Sequence, residues 1–82
     1  MLAELTQLKK LRMEMEPRIS QEDIARFAHI TLVTYRKVEH GGNTTYSTAK
    51  AILKALNSFR AMSRPRLEEI PETEIPKLFN LM

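Results

Sequence analysis

Residues 21–39, QEDIARFAHITLVTYRKVE, constrain the fold of this chain more than any other stretch. Their apolar residues fall only where two short helices joined by a tight corner must touch. Ile24, Ala25 and Ala28 share one face of the first helix, Ile30 sits in the corner, and Tyr35 and Val38 recur three apart on the second. Ala25 is small enough to let the two helices cross closely, where a larger side chain would hold them apart.

This is the sequence form of a helix-turn-helix, whose second helix usually lies in the major groove of DNA. The flanking sequence supplies more helices. A first one is expected from about Leu2 to Met15, with Leu2, Leu5, Leu8, Leu11 and Met15 on one face, ended by Pro17. Ser20 is a good N-cap for the second, and Asp23 stands in the position of a capping box with a shorter side chain than the usual Glu or Gln. Glu22 and Asp23 place negative charge where the helix dipole favours it. Thr31 caps the third helix, which stops before Gly41 and Gly42. A fourth begins after Thr45 and carries Tyr46, Ala49, Ile52, Leu53, Leu56 and Phe59 at helical spacing. Asn57 either ends it in a left-handed cap, leaving a short fifth piece near residues 58–62, or lies inside one long helix to about Met62.

Residues 63–82 contain Pro65, Pro71 and Pro76, too closely spaced for a long helix. They are expected as an extended arm with apolar anchors at Leu67, Ile70, Ile75, Leu78 and Phe79. No strand pattern, internal repeat or low-complexity block is visible. The chain is thus predicted to be all-α, with four or five helices in residues 1–62 and an acidic, apolar C-terminal arm in residues 63–82.

Chains of 82 residues fold alone on a thin margin of stability, and 43% hydrophobic content is enough for one core. The absence of Cys excludes disulfides and thiolate metal sites. No run approaches the roughly 20 apolar residues of a membrane span, and no signal-peptide pattern is present. A soluble, cytoplasmic protein is expected. The net charge of +3 conceals an asymmetry. Residues 1–66 hold twelve Lys and Arg against six Asp and Glu, net +6, while residues 67–82 hold one Lys against four Glu, net −3. A basic body attracts a polyanion, and an acidic tail does not.

The chain resembles the XRE family of lambda repressor and Cro-like DNA-binding domains. The resemblance runs through LKKLR at residues 8–12, ISQEDIARFA at 19–28, ITLVTYRKVEHG at 30–41 and NTTYSTAKAILKALN at 43–57. It implies a compact four- or five-helix fold, operator binding as a dimer, and no catalysis. By position, Gln21 would meet a phosphate, Thr31 would do the same or touch a base, and Leu32, Val33 and Lys37 would read bases. It also matches Arg12 and Glu39 to an ion pair linking the first and third helices. The sequence departs from the family at three points. His29 occupies the corner where Gly is usual, at some cost if φ is positive there. The HGGN loop, ending in Asn43, lacks the usual Lys or Arg, which predicts a weaker phosphate grip. The recognition helix also lacks the Gln and Asn that pair with adenine.

Helical geometry gives a groove face independently of the family. At about 100° per residue, Thr31, Tyr35 and Val38 cluster on one side as the expected buried face. Val33, Arg36, Lys37 and His40 then lie opposite, with Leu32 and Thr34 on the flanks. Arg36 or Lys37 can donate to guanine, and Val33 can pack on a thymine methyl. His29 and His40 have no carboxylates arranged beside them, which argues against a metal site. No catalytic arrangement of nucleophile, base and acid is present, and no cofactor is expected. The five Met residues, Met1, Met13, Met15, Met62 and Met82, suit core filling or termini.

The leading expectation is a sequence-specific regulator of transcription, most simply a repressor, bound to double-stranded DNA as a homodimer. The alternative is a protein-binding module, such as an antitoxin-like partner using residues 63–82. A fold kept only for assembly is a third. Seven large apolar side chains in residues 63–82 are too many for a solvated tail. The arm should therefore pack on the body or on a second subunit, away from the groove face because of its charge.

Overall fold

The computed structural model describes residues 7–14, 18–63 and 69–82. The expected start of the first helix with Leu2 and Leu5, its end at Met15 and Pro17, and Met1, Pro65 and Leu67 lie outside these residues. Helix α1 (Gln7–Met13) buries Leu8 and half-buries Leu11, the two described members of its apolar stripe.

Helix α2 (Gln21–Phe27) begins at Ser20 with both halves of a capping box. Asp23 N–H donates to Ser20 Oγ at 3.0 Å, and Ser20 N–H reaches Asp23 Oδ2 at 3.4 Å. The longer return bond reflects the short reach of Asp where Glu is usual. Helix α3 (Leu32–Glu39) is capped by Thr31, whose Oγ1 accepts from Thr34 N–H at 3.1 Å. Ala25 is buried at the α2–α3 crossing, as its size requires.

Both helices of the pair end in the same way. After α2, His29 N–H donates to Arg26 O and Ile30 N–H to Ala25 O. After α3, Gly41 N–H donates to Val38 O and Gly42 N–H to Lys37 O. These are two Schellman motifs, each needing a left-handed residue after the cap. His29 supplies it at φ 61° and Gly41 at φ 92°. Gly42 is required for a different reason. A Cβ there would lie 2.8 Å from the Lys37 carbonyl oxygen, so the second turn has no room for a side chain.

Helix α4 (Tyr46–Ser63) runs unbroken, which settles the sequence ambiguity at Asn57 in favour of one long helix. The fifth helix is not the piece expected at residues 58–62. It is α5 (Ile75–Leu78), preceded by a 3₁₀ turn (Glu72–Glu74). Pro76 fits in the first turn of α5, where a missing N–H costs nothing. The arm therefore keeps its anchors at Ile75 and Phe79 but forms short helical turns between them.

Two strands also appear that sequence pattern did not suggest. β1 (Asn43–Thr44) pairs in parallel with β2 (Asn80–Leu81), Asn43 opposite Asn80 and Thr44 opposite Leu81. Each has two residues, too few to show an alternating pattern. The core gathers Ile24, Tyr35, Ile52, Leu56 and Ile75 as its fully buried large side chains. The arm thus contributes to the same core as the helix-turn-helix. Its tip, however, lies beside the loop after α3, nearer the expected interface than its charge suggests.

Candidate nucleic-acid interface

The geometry of α3 is set by one buried carboxylate. Glu39 Oε2 accepts from Arg12 Nε at 2.9 Å and from Tyr35 Oη at 2.8 Å. Its Oε1 accepts from Arg12 Nη2 at 3.2 Å and from Gln21 Nε2 at 2.7 Å. Arg12 Nη1 also donates to Ile19 O at 3.0 Å. The ion pair expected between Arg12 and Glu39 is present and bidentate, and it ties α1 to α3. Burial disfavours the charge on Glu39, yet the bonds from Arg12, Tyr35 and Gln21 outweigh it and hold the carboxyl below its ordinary range. Burial likewise opposes the Arg12 charge, and Glu39 overcomes it and raises the guanidinium pKa. Burial, then the bond to Glu39, pushes Tyr35 upward, so its phenol stays protonated.

The network extends to the surface through Gln21. With its nitrogen on Glu39, its Oε1 accepts from Arg36 Nε at 3.3 Å. Gln21 and Arg36, two of the candidate DNA contacts, are therefore neighbours oriented from beneath by a buried anion. Sequence reasoning missed the role of Tyr35, read only as an apolar residue. Its spacing of four from Glu39 was the available signal.

The outward face of α3 carries Val33, Thr34, Arg36 and Lys37, all exposed, with Leu32 half-buried at the flank. Val33 is 75% exposed, large for an apolar residue on a helix whose opposite side holds the fully buried Tyr35. His40, the C-cap, and Asn43, in β1, are exposed as well. Thr31 corrects the helical wheel, which put it on the buried side. It is exposed, because an N-cap has extended dihedrals (φ −76°, ψ 155°) and does not follow the helical rotation. Its hydroxyl donates to Thr34 Oγ1 at 2.8 Å.

Among the described residues, no three His, Cys, Asp or Glu side chains cluster to hold a metal ion. No described helix is long and apolar enough to cross a membrane.

Two short helices crossing at a small residue, with a left-handed corner and a polar outer face on the second, define the helix-turn-helix class. Residues 8–59 match the family described as helix-turn-helix, and the chain belongs to it, in its XRE, lambda repressor-like form. Membership makes it a DNA-binding transcription regulator at the level of the family. No curated protein and no solved structure matches the chain.

Proposed function

We propose that this protein binds double-stranded DNA sequence-specifically and represses transcription, with residues 31–40 lying in the major groove. The observation that carries this reading is the exposed set Val33, Arg36 and Lys37 on a helix locked from below through Glu39. A helix fixed before binding presents its side chains in one register, so little backbone ordering is lost on binding and base edges can be discriminated. Arg36 and Lys37 donate to guanine O6 and N7, and Val33 packs on a thymine methyl, with Leu32 and Thr34 at the margins. Gln21, Thr31, His40 and Asn43 contact the sugar-phosphate backbone around them. In this reading residues 1–62 are the DNA-binding domain and residues 63–82 an attached arm. The protein acts in the cytoplasm, without catalysis or cofactor.

It binds as a homodimer on two-fold related half-sites. Supporting this is an apolar cluster where α2 meets the end of α4, formed by exposed Phe27 and Met62 around half-buried Phe59. The Phe27 and Phe59 rings lie 5.3 Å apart, and Met62 follows Phe59 by three on the same face.

The test is selection of a duplex from a random-sequence pool, followed by affinity measurement against a scrambled duplex at two salt concentrations. Retained preference with steeply falling overall affinity is expected. Equal binding of both duplexes at every salt concentration would refute sequence-specific recognition.

A further inference from the structure

The loop after α3 is the part of the proposed interface with the least charge. Gly41, Gly42, Asn43 and Thr44 include no cation; the Gly41 and Gly42 N–H groups are spent on Val38 O and Lys37 O, and Thr44 is buried, so phosphate contact there falls to the exposed Asn43. Neutral donors of this kind serve well only when their directions are fixed beforehand, since a loose loop loses conformational entropy on binding.

The fixing comes from the far end of the chain. Asn80 Nδ2 donates to Gly41 O at 3.2 Å, and Met82 N–H donates to Thr44 O at 3.0 Å. Between them the parallel pairing sets Asn43 opposite Asn80 and Thr44 opposite Leu81. Gly41 is the left-handed residue that turns the chain out of α3, so holding its carbonyl fixes the direction in which the loop departs. Phe79, buried immediately before β2, anchors the segment in the core. Two acids of the arm are engaged elsewhere. Glu72 meets Tyr46 and Lys50 on α4, and Glu74 meets Lys77.

We propose that residues 80–82 are a strap that holds the 41–44 loop so that Asn43 meets a DNA phosphate, with Asn80 as its positioning residue. The proposal rests on the DNA-binding reading above and adds to it a role for a segment outside the matched family region.

Two variants test it: a chain ending at Phe79, which keeps the buried Ile75 and Phe79, and Asn80→Ala, which removes a single side-chain bond. The probe is the duplex that the parent chain selects from a random pool. Both variants should keep the parent melting temperature within a few degrees while the amides of residues 43–45 exchange faster. The truncated chain should bind roughly tenfold more weakly, as expected for losing about one bond to a charged phosphate. Its salt dependence should run parallel to the parent's, because no cation has been removed. Should the truncated chain fail to fold, Asn80→Ala decides, with a smaller loss in the same direction. Affinity within about twofold of the parent in the deciding variant, or unchanged exchange of the loop amides, overturns the strap. A parent chain that selects no duplex overturns the underlying reading instead, and the exchange data still report on whether β2 holds the loop.

Discussion

Asn57 on α4 grips the backbone of Ile70 from both sides: its Nδ2 donates to Ile70 O at 2.9 Å, and Ile70 N–H donates to its Oδ1 at 2.9 Å. One side chain thus replaces a full backbone pairing and fastens the start of the described arm to the middle of the long helix. Asn57→Ala should destabilise the protein by about 1–2 kcal/mol, two part-buried bonds at their usual net value. Asn57→Asp should do no better, since a carboxylate keeps the acceptor but repels the Ile70 carbonyl. Chemical denaturation reads both, and a midpoint equal to the parent's for either variant contradicts the account.

The Glu39 network predicts strong non-additivity. Glu39→Leu leaves Arg12 and the Tyr35 hydroxyl without their acceptor and should cost about 3 kcal/mol. Adding Arg12→Met removes the stranded charge, so the double variant should be more stable than Glu39→Leu alone. Strict additivity of the two substitutions would show that the pair is not coupled.

The same network fixes the response to pH. Because the folded state holds Glu39 below its ordinary value of about 4.3, its stabilising contribution is complete above that pH. It is lost as pH falls further through the folded value. Tyr35 is shifted upward, so its contribution holds below the ordinary tyrosine value of about 10 and declines above it. Stability followed by denaturation at a series of pH values should fall on both sides. Glu39→Gln should flatten much of the acid limb, and an unchanged acid limb in that variant would assign the effect to other carboxylates.

At the corner, His29 holds a left-handed conformation that β-carbon sterics disfavour. His29→Gly should therefore raise stability by about 0.5–1 kcal/mol, the relief of strain exceeding the added freedom of the unfolded chain. Gly42→Ala should lower it, because the new methyl would press on the Lys37 carbonyl. Thermal melts of the two variants should move in opposite directions; a shift of the same sign would disprove the reading of the two turns.

Lys37 and Ala25 separate recognition from folding. Lys37→Ala should weaken binding to the selected duplex by about tenfold, the loss of one base contact, with the melting temperature nearly unchanged. Ala25→Leu should abolish cooperative melting by overpacking the crossing of α2 and α3. Parent-like affinity for Lys37→Ala would remove that residue from the recognition surface.

The sequence by itself determined the helix-turn-helix, the capping of α2 by Ser20 and Asp23, and the buried faces of Ile24, Ala25, Tyr35 and Val38, whereas the left-handed φ of His29 was only a conditional drawn from the family resemblance until the structure fixed it. The former depend on local signals: apolar period, capping spacing and turn chemistry act over three or four residues and are written along the chain. The Arg12–Glu39 bond was legible only through family resemblance, since it joins residues 27 apart. The tertiary structure alone decided what Asn57 does, that Thr31 faces outward, that Gln21 links Glu39 to Arg36, and that β2 closes on β1. Each of these depends on where a distant backbone or side chain comes to lie. An Asn that ends a helix and an Asn that clasps a distant strand of backbone look the same in sequence, because only the neighbour supplied by folding distinguishes them.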